Sequence, residues 1–295
     1  MRRRNVVTAL VALLALVFAA GCGGGKGTKV AVVATPQGIV SAASRTADAK
    51  TGRLAMTITT AAADKNVTIS GDGAFDDVQH RYSLSMDLRP LFAAAPGGAG
   101  PFSSMLDSPI EVVGTADTVF IHFPLFARLL GVSTEWISVA ASSTGSSSFA
   151  ADPSAFLDFL RGAGGTVTEQ GHENVRGVDT THLHGTIRLR DALNAAPADQ
   201  RDRLQHALGQ LGQNADALLD QPMPVDVFIG DDGLVRRMTI SFAAPAGTPG
   251  NGATATVTIE FFDFGADVSI TPPPADQVTD ATAKFGQLTG GIGGR

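Results

Sequence analysis

Apolar residues recur at every second position through most of this chain, and that period confines it to pleated strands. In "TGRLAMTITT", Leu54, Met56 and Ile58 alternate with Arg53, Ala55, Thr57 and Thr59. "NVTISGDGAF" and "HRYSLSMDL" keep the rhythm, and Tyr82, Leu84, Met86 and Leu88 fall on one side. These three runs predict an antiparallel meander. "IEVVGTADTVFIHF" predicts a hairpin turning at Thr115-Ala116-Asp117, and "EWISVA" a further strand. "TVTEQGHENVRGVDTTHLHGTIRLR" reads as a hairpin around Asn174, and "MPVDVFIGDDGLVRRMTISF" as another around Asp231-Asp232-Gly233. "ATATVTIEFFDFG" is a last long strand. Three prolines in "ITPPPADQV" cannot donate to a ladder, so the chain is expected to leave the sheet there.

Helices are fewer. Thr35 caps one and Pro36 opens it, with Ile39, Val40, Ala43 and Ala47 on one face. Leu125 to Leu130 predicts a short helix, and Asp152-Pro153 opens another that runs to about Gly162. Between Asp199 and Leu219, Leu204, Leu208, Leu211, Ala215 and Leu218 recur at helical spacing. Arg89 to Ser108, with Leu91, Phe92 and Phe102, reads as an Ala/Gly/Pro loop, and Ser142 to Ser148 as a polar one. No fixed repeat and no break in composition divides the body. The expected class is α+β: a curved antiparallel sheet, or half-open β-barrel, with helices packed on its concave face. Residues 35–282 form one domain in this reading, and 283–295 a flexible Gly-rich tail.

The amino terminus supplies an address. Arg2, Arg3 and Arg4 precede an apolar run from Val6 to Phe18, too short for the ~20 residues that span a bilayer. Ala19, Ala20 and Gly21 then lead to Cys22, the only cysteine. Residues 1–21 thus read as a secretory signal peptide of the lipoprotein type, and 22–34 as a flexible tether. Cleavage before Cys22 would leave its thiol to be acylated with palmitate-type chains. The pattern resembles the bacterial lipobox, with Ala19 where Leu is usual. A single cysteine excludes an internal disulfide, so the fold rests on its own core. Without the leader's three arginines, 19 basic residues face 28 acidic ones, net −9. This argues against nucleic acid and against electrostatic docking to anionic lipid. Membrane attachment is expected through an N-terminal lipid anchor.

Motifs for chemistry are sparse. The chain has no P-loop, dinucleotide fingerprint, G-x-S-x-G elbow, HExxH or paired cysteines. His182 and His184 share one face of a strand and could hold a metal if a third ligand approached. Asp231-Asp232-Gly233 is explained by its turn, and Asn66-Val67-Thr68 matches a glycosylation sequon only by coincidence. The sheet supplies more apolar rows than the few Ala/Gly-diluted helices can cover. The excess predicts an apolar hollow suited to a greasy ligand. Alternation nominates its lining: Leu54, Met56, Ile58, Leu84, Met86, Val225, Val227, Val257, Ile259 and Phe261.

The order of elements resembles the LolA-like fold and, within it, the actinobacterial LppX/LprG lipoprotein family. "TGRLAMTITT", "VRGVDTTHLHGTIRL", "MPVDVFIGDDGLVRRMTISF" and "IEFFDFGADVSITPPPADQV" carry the likeness over roughly Thr35 to Asp280, with Phe228 where the family more often shows Trp. The resemblance implies an exported, lipid-anchored protein facing the periplasm or cell-wall space. It would bind an acylated lipid or lipoglycan between sheet and helices and carry it across the envelope. It implies no catalytic residue, cofactor or metal; only Cys22 transfers as a matched functional position. Two other readings stand beside it. One is a non-enzymatic scaffold or co-receptor that binds a membrane transporter or signalling protein. The other is an envelope hydrolase using His182 and His184.

Overall fold

The computed structural model describes residues 30–62, 65–94, 108–141, 157, 160, 163–195, 201, 219–243 and 253–284. The expected helices over 153–162 and 199–219 fall mainly outside these residues, as do Phe102, Ser142 to Ser148 and Cys22.

Helix α1 (Pro36–Ala47) starts where Thr35 and Pro36 predict. Thr35 is extended, and its Oγ1 accepts the Gly38 N–H at 3.1 Å. The buried face is Ile39, Ala42, Ala43 and Thr46, rotated from the expected one, so that Val40 is only half-buried. The rotation follows from Thr46, whose side chain is a structural partner of the sheet.

Strands β1 (Thr51–Ala62), β2 (Lys65–Asp76) and β3 (Arg81–Asp87) form the expected meander. A short helix α2 (Arg89–Ala94) opens the stretch read as a loop. Strands β4 (Ile110–Gly114) and β5 (Thr118–His122) make the expected hairpin. Helix α3 (Pro124–Leu129) and strand β6 (Trp136–Ala140) follow. Strands β7 (Ala163–Val175) and β8 (Val178–Arg188) turn through Arg176 and Gly177. Both have positive φ, 50° and 85°, as a two-residue hairpin turn matched to strand twist requires. A short helix α4 (Leu189–Ala195) follows β8 directly. Strands β9 (Pro222–Gly230), β10 (Val235–Ala243) and β11 (Thr254–Phe262) complete the expected set, and a short strand β12 (Val278–Asp280) is added to it.

All twelve strands join one sheet in the order β12-β6-β5-β4-β3-β2-β1-β11-β10-β9-β8-β7. The sheet is curved and open, with every pair antiparallel except β12–β6. That pair corrects one expectation. The prolines do take the chain off the sheet after β11, but it returns as β12, parallel to β6 at the far edge. Val30 to Ala34, assigned from sequence to the tether, lie against the body. The Val30 N–H donates to the Asp231 carbonyl at 2.8 Å, and Val32 and Ala34 pack on the core.

Two glycines shape the sheet at its middle. Gly71 and Gly73 of β2 lie opposite Met86 and Leu84 of β3. A Cβ on Gly71 would stand 2.2 Å from the Ser85 carbonyl oxygen, and one on Gly73 would stand 2.1 Å from that of Ser83. Only glycine permits the strands to close this tightly.

Candidate functional site

The register of the sheet assembles one continuous apolar face. Directly opposed residues point the same way, so each pairing extends a row. The middle row runs Leu183, Val227, Met238, Ile259, Met56, Gly71, Met86 and Ile110, across eight strands. A second row runs Val225, Ile240, Val257, Ile58 and Ile69. A third joins Phe261, Leu54, Gly73, Leu84, Val112, Ile121 and Ile137. All ten residues nominated by alternation lie in these rows. Eight of them are buried, and Ile58 and Val257 are partly exposed. Sequence reasoning missed Leu183, Met238 and Ile240 of the same face; the same alternation in β8 and β10 would have found them.

Burial is not even along this face. Leu54, Met56, Val225, Val227 and Ile259 are at most 1% exposed, so protein atoms fill the space against them. Helix α1 contributes Ile39, Ala42 and Ala43, and Leu157, Leu160 and Ala192 join the same core. The hollow expected over these residues is therefore occupied in its middle. Toward the β1–β2 connection the covering thins: Ile58, Ile69, Val257 and Phe242 pack on the core but keep partial exposure. A smaller core forms at the other wing from Val112, Val119, Phe123 and Ile137, with Ala281 arriving beside β12.

A cleft of about 300 Å³ lies apart from these rows. The segment from Val30 to Val33, α1 residues Gln37, Ser41 and Arg45, and Ile229 line it. None of the ten nominated residues reaches it.

The opposite face is polar. Thr57, Thr59, Thr239, Ser241, Thr256 and Thr258 alternate with the core rows, and hydroxyl pairs such as Thr239–Thr258 link neighbouring strands at 3.1 Å. An ionic network crosses the same side. Arg237 donates to Glu260 at 2.9 Å and to Glu173 at 2.5 Å, and Arg176 donates to Glu260 at 2.6 Å. Burial alone would raise the Glu260 carboxyl, but the hydrogen bonds from Arg176 and Arg237 outweigh it and hold it below its ordinary value.

His182 and His184 do share a face, the polar one. The structure adds Asp226, which sequence reasoning missed because it lies 42 residues from His184. Its Oδ1 accepts from His182 Nε2 at 2.8 Å and from His184 Nδ1 at 2.9 Å. His182 also stacks on Phe228, with centroids 4.3 Å apart. Among the described residues, no three His, Cys, Asp or Glu side chains are placed to hold a metal ion. The cluster stands on the far side of the sheet from the apolar rows, away from any ligand they could hold.

A single open sheet, apolar and helix-covered on one face and hydroxyl-rich on the other, is an α+β architecture. The chain is similar to the Mycobacterium tuberculosis lipoprotein LppX, at 12% identity and TM-score 0.44 over 80% of this chain and 99% of that one. It is similar to LprF from Mycobacterium bovis at 15% identity and TM-score 0.41, over 81% and 97% of the two chains. An uncharacterized conserved protein from Thermus thermophilus follows at 10% identity and TM-score 0.35, over 83% and 98%. No protein-family model and no curated protein matches the chain. The fold class rests on the strand order and the two-sided sheet themselves.

Proposed function

We propose that the protein is an exported envelope lipoprotein, anchored through Cys22, that binds the acyl chains of a lipid or lipoglycan on the apolar face and carries them across the envelope. The observation that carries this reading is the continuous apolar face, on which Leu183, Val227, Met238, Ile259 and Met56 of the middle row are fully covered while Val257, Ile58 and Ile69 of the adjoining row are only partly covered. A packed row of this kind can still take a ligand. Met56, Met86 and Met238 lie in it, and unbranched, polarizable side chains repack at low cost. An acyl chain entering past Ile58 and Val257 would displace covering side chains and replace their contacts with its own. Burying fifteen methylenes is worth roughly 12 kcal/mol gross against water. Transfer from bilayer to protein exchanges one apolar medium for another, so carriage needs no ATP and no catalytic group.

The experiment is native mass spectrometry of Cys22→Ala protein made without acylation in an envelope-bearing host. Co-purifying acylated lipid, lost in an Ile58→Asp variant that keeps its melting temperature, is the expected result. A ligand-free protein that takes up no lipid from vesicles overturns the reading.

A scaffold role has one observation in its favour. Leu91 and Leu129, on the short helices α2 and α3, are 45% and 61% exposed. In that role a membrane transporter or signalling protein would sit on those helices. Crosslinking in cells to a stoichiometric protein, unchanged by Ile58→Asp and lost in Leu129→Asp, would select it over carriage.

A further inference from the structure

We infer that the polar face of the wing formed by β4, β5 and β6 is a seat for an arginine of a partner protein, with Trp136 beneath the guanidinium and Glu111 accepting from it. The seat lies on the side of the sheet opposite the apolar rows, so it is available whether or not a lipid is held.

One row of the register crosses the polar face and carries the same pattern twice. On one wing Phe228, Arg237 and Glu260 stand on three consecutive strands. The Arg237 guanidinium lies 5.0 Å from the Phe228 ring centre and donates to Glu260 at 2.9 Å. Arg176 repeats the arrangement beside it, 4.0 Å from the Phe262 ring centre and bonded to the other Glu260 oxygen at 2.6 Å. From Glu260 the row continues through Ala55, Asp72 and Ser85 to Glu111, His122 and Trp136. Those last three are again an acid, a middle residue and an aromatic ring on consecutive strands. The middle place is held by a histidine where the first wing has an arginine.

The second wing is short of donors. Trp136, the only tryptophan, and His122 are half-buried with ring centres 5.4 Å apart, and His122 Nδ1 is buried without a hydrogen-bond partner. Glu111 and Asp72 are exposed, and among the described residues neither carboxylate has a hydrogen bond or ion pair. The nearby cations are committed elsewhere. Arg81 donates to the Ile270 carbonyl at 3.1 Å, and Arg89 pairs with Asp87. Arg128 stands on α3, whose Leu125 packs on the smaller core across the sheet. Residues 95–107, 142–160 and 285–294 contain no lysine or arginine.

A guanidinium meets these shortages together. Its plane stacks on an indole face, and its five N–H donors form a fork that fits a carboxylate, where an ammonium offers a point charge. Overall charge acts in the same sense: beyond the leader, 19 basic residues face 28 acidic ones, so basic segments are drawn in. The spacing favours a protein segment over an isolated ligand. Asp72 lies two strands beyond Glu111, roughly 10 Å, where a second cation about three residues along an extended peptide would fall.

The test uses the Cys22→Ala chain and an arginine–glycine repeat peptide, with lysine and citrulline counterparts. Trp136 is the only tryptophan, so its emission reports the seat directly. The arginine peptide is expected to quench that emission saturably, the lysine peptide to bind several-fold more weakly, and the uncharged citrulline peptide not to bind. By anisotropy of labelled peptide, Glu111→Gln and Trp136→Ala should each raise the dissociation constant about tenfold. Trp136→Phe, which keeps a ring, and Glu169→Gln, on β7 at the far wing, should leave it within about twofold. If Trp136→Ala fails to fold, Glu111→Gln, at an exposed position, carries the test. Unchanged Trp136 emission, or equal weakening by Glu111→Gln and Glu169→Gln, overturns the seat. A lysine peptide that binds as tightly overturns arginine as the anchor. A chain that elutes as a dimer, and as a monomer after Trp136→Ala, places a second copy on this face and overturns the partner protein.

Discussion

Thr46 shows how one hydroxyl positions an element. It is fully buried near the end of α1, where a short polar side chain is a poor helix former. Its Oγ1 donates to the Ala42 carbonyl at 2.7 Å and accepts the Val235 N–H at 2.8 Å. Val235 borders the irregular stretch of the β9–β10 pairing, and its N–H is directed at the Thr46 hydroxyl. The hydroxyl therefore satisfies a buried donor and fixes how α1 turns toward the sheet. Thr46→Val keeps the shape and removes the oxygen, leaving the donor unpaired at a cost of about 1–3 kcal/mol. At roughly 2–4 °C per kcal/mol for a chain of this size, thermal melting should show the loss, and Thr46→Ser should recover most of it. Equal melting of the Val variant and the parent would show that water satisfies Val235. Gly73 makes a parallel case in the sheet. Gly73→Ala must move the Ser83 carbonyl, and the β2–β3 closure should loosen with a loss of about 1–3 kcal/mol in urea melts.

Elements meet on the polar face through Glu260. Arg237 beside it on β10 and Arg176 from the β7–β8 turn bind the two oxygens, and Glu173 of β7 completes the chain across the sheet. The lowered Glu260 value fixes the sign of a pH effect. The unfolded chain takes up the proton first on acidification, so the network's contribution is whole above the ordinary glutamate value of 4.5 and is lost as pH falls through the folded value. Asp87, held at about 2 by hydrogen bonds from Arg89, acts in the same direction, but the pair is exposed and contributes less. Stability from urea melts at about pH 7, 5 and 3 should fall more steeply for the parent than for Glu260→Gln. Parallel slopes would remove the network from the account.

The same strands mark what the sequence could convey. Leu54, Met56 and Ile58 declare a strand and its apolar side because the period is local. That β1 pairs with β11, roughly two hundred residues away, is a choice among many similar alternating runs, and no single run encodes it. The ten nominated residues share a face because alternation is enough to sort sides. Their near-complete covering was not legible, because it depends on how far α1, Leu157, Leu160 and Ala192 fill a curvature that Gly71 and Gly73 help create. Helix α1 was read correctly at its start, where a cap is local. Its buried face was read a step off, because Thr46 looks polar until Val235 is beside it. Asp226 could not be joined to His182 and His184 without the β8–β9 register.

The whole molecule depends on how the chain closes its open edge. β7 and β12 bound the sheet, and β6 would be the exposed boundary if the carboxy-terminal segment did not return to it. That segment pairs Val278 to Asp280 in parallel with Trp136 to Ser138. The contact extends beyond the ladder: the Ala281 N–H donates to the Ser138 carbonyl, Thr282 Oγ1 accepts the Ala140 N–H at 3.0 Å, and Lys284 reaches the Leu130 carbonyl at 2.8 Å. Ala281, 1% exposed, fills the smaller core beside Ile137. A three-residue strand is too short for intrinsic pairing strength, so it holds through this docking, and its value lies in covering the row of amides that β6 would otherwise present. An uncovered edge of that kind templates pairing with another chain. A chain ended after Pro274 should therefore keep the cooperative melt of the larger core, lose that of the wing built on Val112, Ile121 and Ile137, and elute from a sizing column as dimers and larger species. Thr279→Pro, which removes one ladder donor and leaves Ala281 in place, should give a milder version of the same shift. A truncated protein that elutes as a monomer with an unchanged melt would show that β6 needs no cover, and the return of the chain after its three prolines would then have no structural purpose.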